Sequence, residues 1–188
     1  MKRPIALATI FLVAAVIPAA LRSAESDSTR RQAHVDQADV YAEAASIPSL
    51  AGAHGNELRV WQLGYKSGAV NGTIASAEGV AVYTSTPPGE RATRFKSKLF
   101  LVSSTTSNRV TSLLRRLSEL AKLDGRSIEC GVMAGVGVYI DGSLDGRRFV
   151  IYAGTPSACD GLDAKLVAST VSVAREIAEA AQRSSTIR

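Results

Sequence analysis

The stretch from Val132 to Ala153, VMAGVGVYIDGSLDGRRFVIYA, decides how the chain is read. Val132, Ala134, Val136, Val138 and Ile140 fall on alternate positions, and so do Phe149, Ile151 and Ala153 beyond the turn. Alternation with period two is the pattern of a strand with one buried face, and two such runs around Asp-Gly pairs predict a β-hairpin with its loop at Asp141–Gly146. Gly131, Gly135 and Gly137 thin the opposite face, which suits the close approach of another segment.

The same alternation appears upstream. Leu58, Val60 and Gln62 alternate with Arg59, Trp61 and Leu63, predicting a strand from Glu57 to about Tyr65. Further strands are expected over Gly79–Ser85 and Arg94–Ser103. Asn71-Gly72 and Pro87-Pro88-Gly89 read as the turns of this meander. Between the meander and the hairpin, Val110, Leu113, Leu114, Leu117, Leu120 and Ala121 recur at helical spacing, ending near Asp124-Gly125. A last helix is expected from Leu162 to Gln182, burying Leu166, Val167, Thr170, Val171, Ala174, Ile177 and Ala178, with Asp160 and Asp163 at its positive end. The order β-β-β-α-β-β-α predicts an α+β fold, an antiparallel sheet with helices packed on one face.

Outside this domain, expected over residues 57–183 with a short tail at 184–188, the composition changes. Lys2 and Arg3 precede an apolar run from Ile5 to Ala20, and no acidic residue occurs before Glu25. This is the pattern of a secretory signal peptide over residues 1–24, with cleavage expected between Ala20 and Ala24. The chain is therefore expected in the periplasm or secreted, with no stable membrane span once the leader is removed. Residues 25–56 are rich in Ala, Ser, Asp, Gln and Arg and read as a tether or a weak, loosely docked helix carrying both histidines, His34 and His54, outside the core.

Charge excludes one class of function. Three of the 22 basic residues lie in the leader while all 17 acidic ones lie beyond it, leaving about +2. A nucleic-acid surface calls for a concentrated basic face, so no nucleic-acid partner is expected.

Cys130 and Cys159 flank the predicted hairpin at its open end, so strand pairing brings them together, and export favours oxidation to a disulfide. Arg94, Lys96 and Lys98, extended by Arg91, form a row on the third strand and are the candidate binding surface, with Trp61 and Tyr65, on one strand face, as either a second place where a ligand would stack or, as is commoner for such rings, part of the core. The same basic row also reads as a guard on an open sheet edge. Asp141-Gly-Ser143-Leu-Asp145-Gly146 has the first half of a calcium loop, but Tyr152 stands where the bidentate Glu belongs, so no metal and no cofactor are expected. No serine sits in a nucleophile elbow, and a Ser-His-Asp triad would have to draw its base from the 25–56 segment.

These features suit an exported binding protein without catalysis, such as an inhibitor or immunity-type protein recognising a protein partner. The alternative is an envelope hydrolase or lipid-handling protein whose carboxylates, among them Glu57, Glu78, Asp124 and Glu129, are assembled by the fold.

Overall fold

The computed structural model describes residues 19–64, 69–85, 95–101, 104–129 and 136–186. Its centre is the expected hairpin. Strands β6 (Val136–Leu144) and β7 (Arg147–Gly154) pair antiparallel, with Ile140 opposite Ile151 and Asp141 opposite Val150. Asp145 (φ 51°) and Gly146 (φ 78°) make the connection. Two positive φ angles in sequence match a two-residue primed turn, whose twist suits the strands on either side. The loop is thus shorter than the sequence suggests, and Asp141 belongs to the strand.

The described strands form one seven-stranded sheet in the order β4-β3-β2-β1-β6-β7-β5. Strands β1 (Glu57–Gly64), β2 (Val70–Ser76), β3 (Gly79–Ser85) and β4 (Phe95–Leu101) make the meander. All neighbours are antiparallel except β5 (Ser127–Glu129), which runs parallel to β7. The α+β class and antiparallel character are as expected. The order departs in two places, because β2 and β5 are additional strands.

Asn71-Gly72, expected as a turn, lies inside β2. Gly72 pairs with Trp61 across the β1–β2 ladder, and a side chain at position 72 would meet Cζ3 and Cε3 of the Trp61 ring. Glycine is required here by a partner on another strand, an alternative to turn geometry that short-range signals do not reveal.

Helices α2 (Ser104–Leu114) and α3 (Leu117–Ala121) replace the single helix expected between the meander and the hairpin, and α4 (Leu162–Thr186) closes the chain after a 3-10 turn at Pro156–Ala158. Val110 and Leu113 of α2, Leu117 and Leu120 of α3, and Val167, Val171, Ala174 and Ile177 of α4 bury against Leu58, Val60, Val80, Val138, Ile140, Phe149 and Ile151. This is the helix-covered face that the alternation foretold.

The opposite face is covered too. Helix α1 (Ala19–Ala44) turns His34, Ala38, Tyr41 and Ala42 inward, a stripe at helical spacing. Tyr41 and Ala45 pack with Trp61, Ile74, Ala81 and Tyr83 in a second apolar cluster. Of the two readings of this segment, a tether or a loosely docked helix, the structure has the docked helix, and His34, expected outside the core, is buried. No helix among the described residues is long and apolar enough to cross a membrane.

Replacing Gly72 with valine forces the Trp61 ring out of its seat. Urea denaturation of Gly72→Val is expected to show a loss of roughly 1–3 kcal/mol, the usual range for overpacking; an unchanged midpoint would mean that the ring moves aside without cost.

Candidate functional site

The sheet face beneath α1 alternates polar and aromatic positions. On β1, Glu57, Arg59 and Trp61 share that face; on β6 it carries Tyr139, Asp141 and Ser143, and on β7 Arg148, Val150 and Tyr152. Strand registry therefore sets charged groups at the end near the β6–β7 turn and rings at the other.

At the charged end Arg148 is the hub. Its Nε donates to Asp141 Oδ1 at 2.8 Å and its Nη2 to Asp141 Oδ2 at 3.0 Å, a bidentate pair with Asp141 fully buried. Nη1 donates to Asp39 Oδ2 of α1 at 3.1 Å and to Ser49 Oγ at 3.1 Å. Beside it, buried Arg59 donates to Glu57 Oε1 at 2.6 Å and to the Pro48 carbonyl at 2.8 Å. A second clamp lies at the N-terminal half of α1, where Arg31 donates to Asp124 Oδ2 at 2.8 Å and to the Arg148 carbonyl at 3.2 Å, while Asp124 Oδ1 accepts from the Val150 N–H at 2.9 Å.

Burial pushes the Asp141 carboxyl up, against the opposing pull of the Arg148 guanidinium. Burial also opposes charge on Asp39, but hydrogen bonds from Arg148 and Ser49 hold its carboxyl below the ordinary range. Arg148 loses solvation as well, and its bonds to Asp141 and Asp39 more than offset that, so its guanidinium stays charged. The Ser143 hydroxyl, fully buried next to this network, has no hydrogen-bond partner among the described residues.

At the aromatic end, His34 stacks on Tyr152 with ring centroids 5.7 Å apart and meets Tyr139 edge-on at 5.9 Å. Tyr41 contacts both Trp61, at 5.7 Å, and Tyr139, at 5.8 Å. His34 Nε2 lies 2.9 Å from Ser127 Oγ of β5. Burial, aided by the charge of Arg30 and opposed by that of Glu129, holds the His34 imidazole below its ordinary range.

The residues singled out from the sequence are dispersed. Trp61 is fully buried beneath α1, which corrects its reading as an exposed stacking surface: alternation gave its face but not the helix that covers it. Tyr65, Arg91, Arg94 and Cys130 lie outside the described residues. Lys96 and Lys98 sit on β4, the sheet edge, opposite Thr84 and Val82. No free cysteine occurs among the described residues. The carboxylates named for a hydrolase do not converge: Glu57 pairs with Arg59, Asp124 with Arg31, Glu78 is exposed after β2, and Glu129 is exposed on β5. Asp141, the first ligand of the calcium-like stretch, is taken by Arg148, and among the described residues no group of three or more His, Cys, Asp or Glu is placed to hold a metal ion.

No protein-family model matches the chain, and no curated protein is significantly similar to it in sequence.

Removing one partner of a buried ion pair strands the other. Arg148→Met is expected to cost about 3–5 kcal/mol in denaturant unfolding, whereas Arg148→Met with Asp141→Leu recovers much of that loss, because the only charge then left without its partner, Asp39, is partly exposed to water. Equal losses in the single and double variants would show that the pairing contributes little.

Proposed function

We propose that the protein is exported and acts in the periplasm or outside the cell as a binding module for an acidic protein partner, in the manner of an inhibitor or immunity-type protein. The observation that carries this reading is the coverage of the sheet. With α2–α4 over one face and α1 over the other, both faces of the sheet are covered among the described residues, and β4, one of its two edges, carries Lys96 and Lys98. An edge strand with cationic residues steers an acidic partner and orients it, and Arg91 and Arg94 extend the basic row in sequence.

Export would leave the α1 contacts in place. The inward stripe and the clamps of α1 use Arg31, His34, Asp39 and Tyr41, all beyond the cleavage window at Ala20–Ala24, so removal of the leader spares them. A disulfide between Cys130 and Cys159 belongs to the same reading. The last residue of β5, Glu129, and Cys159 line one surface depression.

The intact mass of chain recovered from a bacterial periplasm is expected to show a start between Ala20 and Ala24 and to rise by two hydrogens on reduction. Replacing both cysteines with serine is expected to lower stability by roughly 3–4 kcal/mol for a closed loop of about 30 residues. A free-thiol assay reading two accessible thiols in the native exported chain counts against the bridge.

The binding reading is tested by charge reversal. Crosslinking in the periplasm is expected to capture one stoichiometric protein with the wild type, less of it as salt rises, and none with Lys96→Glu/Lys98→Glu at unchanged melting temperature. Undiminished capture by the reversed variant would remove β4 as the partner surface.

A further inference from the structure

Ser127 and His34 make a pair that the binding reading does not use. The Ser127 hydroxyl, half-buried on β5, stands 2.9 Å from His34 Nε2. That is the reach needed for a histidine to take a proton from a serine. The imidazole is fixed by the Tyr152 ring stacked on it and the Tyr139 ring at its edge, and its depressed basicity keeps it neutral near pH 7, the form that accepts a proton.

The surroundings suit a reacting group. Ser127 lines two adjoining depressions, one of about 820 Å³ running to the start of α4 and one of about 530 Å³ under the N-terminal half of α1. The Arg126 carbonyl accepts from the Tyr152 N–H, so Arg126 faces β7 and strand alternation turns the Ser127 N–H to the outer edge. That N–H is a donor not used by the β5–β7 ladder. Arg30 and Arg31 line the smaller depression together with their ion-pair partners, Asp27 and Asp124, and the Arg30–Asp27 pair is a solvent-exposed one that is weak in water.

We propose that Ser127 is a nucleophile with His34 as its general base, in a site that hydrolyses small esters bearing an anionic group. His34 Nε2 takes the Ser127 proton as Oγ bonds to the ester carbonyl carbon. The bond to the leaving alkoxide breaks, and the imidazolium returns the proton to it. Water, deprotonated by the same nitrogen, then attacks the acyl carbon and releases the acid, and the proton returns to Ser127 Oγ. The anionic group of the substrate meets Arg30 and Arg31. This site is on β5 and the proposed partner surface on β4, at opposite edges of the sheet, so the two proposals stand or fall separately.

The full exported chain is incubated with an alkyl fluorophosphonate, which forms an Oγ–P bond with loss of fluoride when a serine is activated. The expected result is one adduct, mapped by peptide mass spectrometry to Ser127. It is absent in Ser127→Ala and slowed at least about tenfold in His34→Gln that keeps the wild-type circular dichroism. In parallel, 4-nitrophenyl hemisuccinate is expected to be hydrolysed faster than 4-nitrophenyl acetate, and neither to be hydrolysed above the buffer rate by Ser127→Ala. A wild-type chain that neither labels nor turns over either ester overturns the proposal, as does an adduct that persists in Ser127→Ala. A folded His34→Gln variant that labels at the wild-type rate overturns the role of His34 as base.

Discussion

Arg148 sits where three parts of the chain meet, and the face of the sheet under α1 is organised around it. A guanidinium in mid-sheet with its partner Asp141 fully buried is stable only if nearly every donor is satisfied, because an unpaired charge there costs far more than a surface ion pair returns. Asp141 supplies one side of the fork from the neighbouring strand. The remaining donors need acceptors above the sheet, and α1 with the turn after it brings Asp39 and Ser49. The helix thus completes a polar network that the sheet alone leaves open.

This explains why so polar a helix docks at all. Its inward stripe consists mostly of alanines and a histidine, with Tyr41 as the one large ring, so the apolar area it buries is modest. Docking is set instead by position: Arg31 near one end meets Asp124 and the Arg148 carbonyl, while Asp39 near the other meets the Arg148 side chain. Two clamps more than two turns apart fix the rotation and the register of the helix together. Once these are fixed, His34 lies between them, facing Tyr152 and Ser127, with no freedom to point elsewhere.

How much of this was legible depended on the range of the cause. The β6–β7 hairpin, β3 and α4 were readable because their apolar periodicity is local: Val138 and Ile140 answer Ile151 and Phe149 whatever else the chain does. β2 was misread because Asn71-Gly72 is a turn pair by short-range rules, while its glycine is there for Trp61 on the neighbouring strand. β5 has three residues and no period to detect. α1 hid for a different reason, since small inward residues give little contrast between its faces. The site was out of reach for the same cause as α1. Ser127 and His34 are separated by 93 positions, as are Arg31 and Asp124, and no spacing rule joins residues that meet only after a helix has folded across a sheet.

The two edges of the sheet differ in a way that follows from their construction. β4 ends a four-stranded meander, is seven residues long, and is an edge of the sheet among the described strands, with lysines at positions 96 and 98. β5 is a three-residue parallel addition held by the bonds of Arg126 and Gly125 to β7 and by the Asp124 carboxylate on the Val150 N–H. It is too short to template another strand. What it does instead is present a single side chain, Ser127, against a helix that arrives from the other end of the chain, and the charged clamp at Asp124 three residues earlier sets the distance between them. A short edge tied to a polar hub gives fixed geometry, whereas a long open edge gives area. That division matches the two proposals, chemistry at β5 and recognition at β4.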